Sequence, residues 1–257
     1  MLKVTDTATI IARVRAAERE LPPGERLFED PYAHLFAGAM LGSEEEALFS
    51  DAPFLREQVR LRTRFIDDVL RAALAESVRQ IVVLGAGFDC RALRMPEIAA
   101  SGTLVFEVDF VEQIERKRAI LAAAAVREPA HLRYVSCDFG AAAFDATLSR
   151  DLAGAGFLAH TTTLFIWEGV ISYLEPADID RTLRWMGHEA ATGTRVVFNY
   201  RPGFGAGTLD RERLPHQIRA AGFQTVEDRS FAELHRLIFE TDPPEIAELF
   251  RIAVATV

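Results

Sequence analysis

The chain has 257 residues, 49% hydrophobic and 26% charged, with a formal net charge of −9. That composition excludes a predominantly disordered chain, and 16 Gly and 11 Pro without a period exclude collagen-like and low-complexity classes. No apolar run reaches the roughly 18 residues of a membrane span, and two cysteines, Cys90 and Cys137, form neither a disulfide framework nor a CxxC metal pair.

The acidic balance argues against a phosphate-tracking nucleic-acid binder. The opening stretch Met1 to Asp6 lacks the apolar centre of a secretory leader, so a reduced cytoplasm is the expected compartment. Residues 7–18 read as a helix stopped by Pro22-Pro23-Gly24. A short helical piece follows Asp30-Pro31, where Asp caps and Pro suits the first turn. A long helix from Pro53 to Glu76 carries Leu55, Val59, Ile66, Val69 and Ala73 at helical spacing.

After Ser77 the pattern changes. Residues 80–84 form a short, β-branched apolar run of the kind buried on both faces of a parallel sheet. Residues 103–109, 132–137, 162–167 and 195–200 repeat it, with helical segments between them, such as 111–126 and 176–191. Alternating strand and helix predicts an open parallel α/β sheet with right-handed crossovers. Residues 224–229 and 249–257 read as two closing strands. No linker composition divides the chain, so one domain over 1–257 is expected, with residues 1–76 as a helical cap on an α/β core of residues 77–257.

Gly85-Ala86-Gly87 directly follows the first strand. Glycine admits a ligand close to the backbone, and ligands of open sheets sit at the carboxyl ends of strands. The alternative is an ordinary strand-to-helix turn. Glu107 and Asp109 close the second strand on one side, and Asp109 at the tip is the better candidate for accepting ribose hydroxyl protons. Its alternative is a cap on the following helix. A dinucleotide is disfavoured, because Cys90 stands where a third Gly belongs and Asp89 would repel a pyrophosphate. Neither of the two lysines, Lys3 and Lys117, has Tyr four residues earlier, which removes the short-chain dehydrogenase pair. A nucleoside cofactor without phosphates fits better, and S-adenosylmethionine is the leading candidate.

Three further sites carry chemistry. Asp138-Phe139 ends the third strand, where an acid accepts an adenine amino proton and an aromatic packs on the ring; a helix cap is the alternative. Glu168 emerges from the apolar strand 162–167 and needs a cationic partner, either a cofactor or an arginine. Arg62 lies seven residues after Leu55 and four before Ile66, on the apolar face, whereas Arg64 faces outward. A cofactor carboxylate and an internal ion pair, with Asp89 as a candidate, compete for Arg62.

Residues 27–33, 62–67, 84–91, 107–110 and 168–174, in this order, resemble the leucine carboxyl methyltransferase family, a branch of the class I S-adenosylmethionine-dependent methyltransferases that also holds bacterial O-methyltransferases. The resemblance spans roughly Thr7 to Tyr200 and fades from Gly203 onward. It implies a Rossmann-like, mostly parallel seven-stranded sheet with helices on both faces and an N-terminal helical extension. It also implies cofactor contacts at Arg62, Gly85, Gly87, Asp109, Asp138, Phe139 and Glu168, with Arg13 as the nearest match to a basic residue of the first helix.

No metal and no base is needed if the acceptor is a carboxylate, which is ionised at neutral pH. Arg201, after Tyr200 at the end of the fifth strand, is the candidate clamp for such an acceptor; a solvent-facing loop residue is its alternative. A hydroxyl acceptor would need a base, and none of the six histidines sits at an obvious motif tip, although His160 lies just before the fourth strand. The expected activity is methyl-ester formation on a small molecule or peptide, without nucleic acid or membrane as partner. O-methylation of a hydroxyl on a polyketide-like metabolite is the alternative.

Overall fold

Strands and helices alternate as expected in the computed structural model, which describes residues 4–38, 52, 54–141, 143–205 and 209–257. Lys3 and Pro53 lie outside the described residues. The first helix, α1, runs Val4–Ala17, and the short α2, Ala33–Phe36, follows Asp30, whose carboxylate accepts the N–H of Tyr32 and of Ala33. The long helix α3 is Leu55–Ala75. α1 packs on both α2 and α3.

The core then alternates: β1 Gln80–Leu84, α4 Arg91–Arg94, α5 Pro96–Ser101, β2 Leu104–Asp109, α6 Val111–Ala123, β3 Leu132–Ser136, α7 Phe144–Gly154, β4 Thr163–Trp167, α8 Pro176–Glu189, β5 Arg195–Tyr200, α9 Leu214–Ala220, β6 Thr225–Ser230, α10 Phe231–Phe239 and β7 Arg251–Thr256. The sheet order is β3-β2-β1-β4-β5-β7-β6. β1 to β5 pair in parallel, and β7 inserts antiparallel between β5 and β6.

Alternation along each strand explains why the central strands are apolar throughout. Ile81 and Val83 face a layer with Leu61, Ile66 and Leu70 of α3. Val82 and Leu84 face the other layer, with Leu148 and Leu152 of α7 and Leu183 and Met186 of α8. Helices therefore cover both faces, and every residue of β1 is buried. The chain turns one way from β1 through β2 to β3 and the other way through β4 and β5. The carboxyl ends of β1 and β4 stand side by side at that reversal, where such sheets open a crevice.

Candidate active site

A cavity of about 350 Å³ occupies this crevice, lined from the ends of β1, β2 and β4 and roofed by Ala8, Ile11 and Arg15 of α1. Gly85 and Gly87 hold φ of 64° and 52° there, the left-handed region that glycine enters at little cost. A Cβ on Gly85 would stand 2.4 Å from Val170 Cγ2, so the turn has no room for a side chain. Asp109 follows at the tip of β2. Its Oδ2 accepts the Gly87 N–H at 2.6 Å and its Oδ1 accepts the Phe110 N–H at 2.7 Å. Burial pushes this carboxyl above its ordinary value, against the pull of both N–H groups. Phe139 is buried in the wall of the cavity, and Phe110, 43% exposed, edges it.

Beneath the cavity lies a chain of buried charge. Arg62 Nε donates to Glu168 Oε1 at 2.7 Å, and Arg91 Nη1 donates to Glu168 Oε2 at 2.9 Å. Arg91 also holds Asp89, and its Nε reaches Asp67 Oδ1 at 2.8 Å. Arg94 joins Asp67 at 2.7 Å, and Arg15 joins Asp30 at 3.1 Å. Burial alone would raise the Glu168 carboxyl; Arg91 and then Arg62 overcome it and hold Glu168 below the ordinary carboxylate value. Asp89 falls to about 2: burial again opposes ionisation, and Arg91 foremost, then Arg15, outweigh it. A second buried pair, Lys117 with Glu107 at 2.5 Å, ties β2 to the glycine loop, because Lys117 also donates to the Asp89 carbonyl. Glu107 rises to about 7, with burial the main cause and Lys117 the main opposition.

A second cavity of about 310 Å³ adjoins the first, sharing Thr7, Ile11, Arg62, Gly169 and Tyr173 with it. Phe54, Phe204 and Phe250 dominate its apolar wall. Arg201 lines it, with the guanidinium carbon 4.9 Å from the Phe204 ring centre and 5.1 Å from that of Phe250. Among the described residues no carboxylate pairs with Arg201, and the lining contains no Asp, Glu or His. Tyr200 also lines it; burial foremost, with the nearby Asp228 carboxylate, raises its phenol well above the ordinary range.

The structure brings most of the sequence candidates together. Arg62, Gly85, Gly87, Asp109, Phe139 and Glu168 line the first cavity, and Arg62 also lines the second, with Tyr200 and Arg201. The internal partner of Arg62 is Glu168 rather than Asp89, which Arg91 holds instead. Two candidates stand elsewhere. Asp138 is exposed and spends Oδ1 on the Gly140 N–H at 2.9 Å, as a turn cap does, so the lining passes through Phe139 and Gly140. Arg13 turns away and donates to the Ala37 and Gly38 carbonyls at 2.7 and 2.8 Å. Arg15, two residues on, enters the cavity instead and donates to the Phe88 carbonyl. Its spacing of four from Ile11, which shares the wall, was the available signal. Arg91, Asp67 and Lys117 were missed, since nothing in local spacing ties a buried charge to a partner tens of residues away. His160 sits at φ 56°, just before β4, packed on His188. It is at the amino end of the parallel strands, across the sheet from both cavities. Among the described residues no group of three metal-ligating side chains occurs, and no helix is long and apolar enough to cross a membrane.

The family model described as leucine carboxyl methyltransferase matches residues 8–187. A Streptomyces coelicolor protein, named as an S-adenosyl-L-methionine-dependent methyltransferase without an assigned acceptor, is 38% identical over 203 residues, covering 74% of this chain and 66% of its own. A like-named protein of Mycolicibacterium vanbaalenii is 37% identical over 212 residues, covering 74% of this chain and 65% of its own. The chain thus spans just under two thirds of the length of these relatives. A crystal structure from Thermobifida fusca, named as a methyltransferase, superposes with a TM-score of 0.60 at 16% identity, covering 96% of this chain and 94% of that one. At that identity it shows the fold alone.

Proposed function

This chain belongs to the leucine carboxyl methyltransferase family, and from that premise we propose that it transfers a methyl group to a carboxylate of a small molecule or peptide. Its cofactor is S-adenosyl-L-methionine. The residues of the first cavity fit that molecule. Asp109 offers a buried acceptor for ribose hydroxyls, Phe110 and Phe139 offer apolar surface for a base, and the guanidinia of Arg15 and Arg62 stand near Glu168 to match an amino-acid end. Arg62 gives only Nε to Glu168, and its two Nη atoms donate to no described protein group, so they remain for a carboxylate.

When bound, the cofactor would supply an activated methyl on its sulfonium; a carboxylate oxygen would take that methyl as the C–S electron pair stays on the departing sulfur, giving ester and thioether with no proton to move. The protein's task is then to hold an anion in line and keep water out. The second cavity supports this reading through one observation: a half-buried guanidinium without a protein carboxylate, in a lining that has no Asp, Glu or His among the described residues. A hydroxyl acceptor needs a general base. Tyr200 is a poor one, because burial beside Asp228 keeps its phenol protonated. The product is expected to release methanol under mild alkali, as a methyl ester does. A product stable to alkali overturns the carboxylate assignment.

A further inference from the structure

Asn199 stands at the carboxyl end of β5, 7% exposed, in the lining of the second cavity. Its Oδ1 accepts the Gly169 N–H at 2.8 Å. That bond fixes the amide, because an N–H donor can face only the oxygen. The Nδ2 group is therefore the end left over, and it donates to no described protein group. Gly169 belongs to both cavities, and a Cβ built on it would lie 3.6 Å from the Arg62 guanidinium nitrogens. Asn199 thus sits beside the shared wall across which a methyl group has to pass. Arg201, just past the end of the same strand, lines the same cavity.

We propose that Asn199 is an acceptor-binding residue, its amide N–H2 donating to the reacting carboxylate while Arg201 supplies the charge. This deepens the methyl-ester reading and rests on it. The pairing is chemically consistent. An amide nitrogen is a donor only and presents no lone pair that would repel a carboxylate, and a neutral donor at the reacting end leaves the anion more nucleophilic than a second guanidinium would. Gly169 serves as the template, since its N–H dictates which end of Asn199 faces the ligand.

Asn199→Asp isolates this role. The variant keeps the shape and keeps an oxygen for the Gly169 N–H, and it replaces only the cavity-facing donor by an anion. Transfer of labelled methyl is measured with phenylacetate, decanoate and N-acetyl-leucine as probe acids, and S-adenosylhomocysteine binding is measured by calorimetry. Asn199→Asp is expected to bind S-adenosylhomocysteine within about twofold of wild type, which also reports a folded first cavity. The KM of the best probe acid is expected to rise about 10- to 100-fold, the span of one hydrogen bond to a charged group. Asn199→Ser, a shorter neutral donor, should recover part of that loss. An unchanged KM in a variant that binds S-adenosylhomocysteine overturns the role of Asn199 while leaving the ester reading intact. Methylation of hydroxyl compounds but of no probe acid overturns both.

Discussion

The two adjoining cavities treat charge in opposite ways. Around the first, every carboxylate of the buried network has a guanidinium or ammonium partner: Glu168 has Arg62 and Arg91, Asp89 has Arg91, and Glu107 has Lys117. In the second, aromatic rings surround one guanidinium that no described carboxylate meets. Buried pairs of the first kind are satisfied by the protein itself and set a rigid shape, although their net stabilisation is small once desolvation is counted. A lone cation in an apolar wall is satisfied by what binds there. Arg91, closed in by three carboxylates, thus holds structure beneath the first cavity, whereas Arg201, which no described carboxylate meets, is the proposed clamp of the second.

The sharpest break of that contrast is Arg91→Met. It leaves Asp67, Asp89 and Glu168 each short of a partner, and breaking a buried pair costs about 3–5 kcal/mol. Denaturant unfolding should register a loss of that order. The pH profile carries a second signature. Asp89 drops from an ordinary 3.8 to about 2 in the folded chain. A depressed carboxyl contributes stability above its unfolded value and loses it as pH falls through the folded one. Wild type should therefore lose stability between about pH 4 and pH 2, and Arg91→Met should lose less across that window. Equal slopes would show that Asp89 draws its support from elsewhere.

A crossed pair of variants sharpens the comparison further. Asp109→Ala should weaken S-adenosylhomocysteine binding about ten- to a hundredfold and leave the KM of a probe acid nearly unchanged. Arg201→Gln should do the reverse by a similar factor. If both variants lose both ligands alike, the two cavities act as one site and the contrast dissolves. The smallest effect is expected at His160, which packs on His188 across the sheet from both cavities. His160→Ala should keep the transfer rate within about twofold, whereas removing a general base lowers a rate by about 10²–10⁴.

Much of the first cavity was legible in the sequence because the sheet is parallel. Each strand ends on the same side, so Gly85, Asp109, Phe139 and Glu168, each at or just past a strand end, converge once the strands pair. The position of Arg62 on its helix followed from spacing alone, as did the outward Arg64, which pairs with Asp68 at 2.8 Å. Most partners of the buried charges were not legible, because Asp67 comes from α3, Asp89 and Arg91 from the stretch between β1 and the start of α4, and Glu168 from just past the end of β4. Asp138 stands outside the cavity lining for a local reason: a carboxylate two residues before a glycine N–H accepts that N–H, as turn caps do. The choice of Arg13 over Arg15 rested on a match between sequences, whereas the helical phase of Ile11 pointed to Arg15.

Thr7 and Tyr173 each touch both cavities, and their hydroxyls share a hydrogen bond at 3.2 Å across the seam. One partition so thin means that a single molecule with a nucleoside at one end and an apolar acid at the other can reach both cavities at once. Its second end then binds as if tethered, at a local concentration in the millimolar range for a short flexible tether. Tether length becomes a ruler for the partition: affinity should peak where the linker just spans the wall between Gly85 and Asn199, and fall on either side.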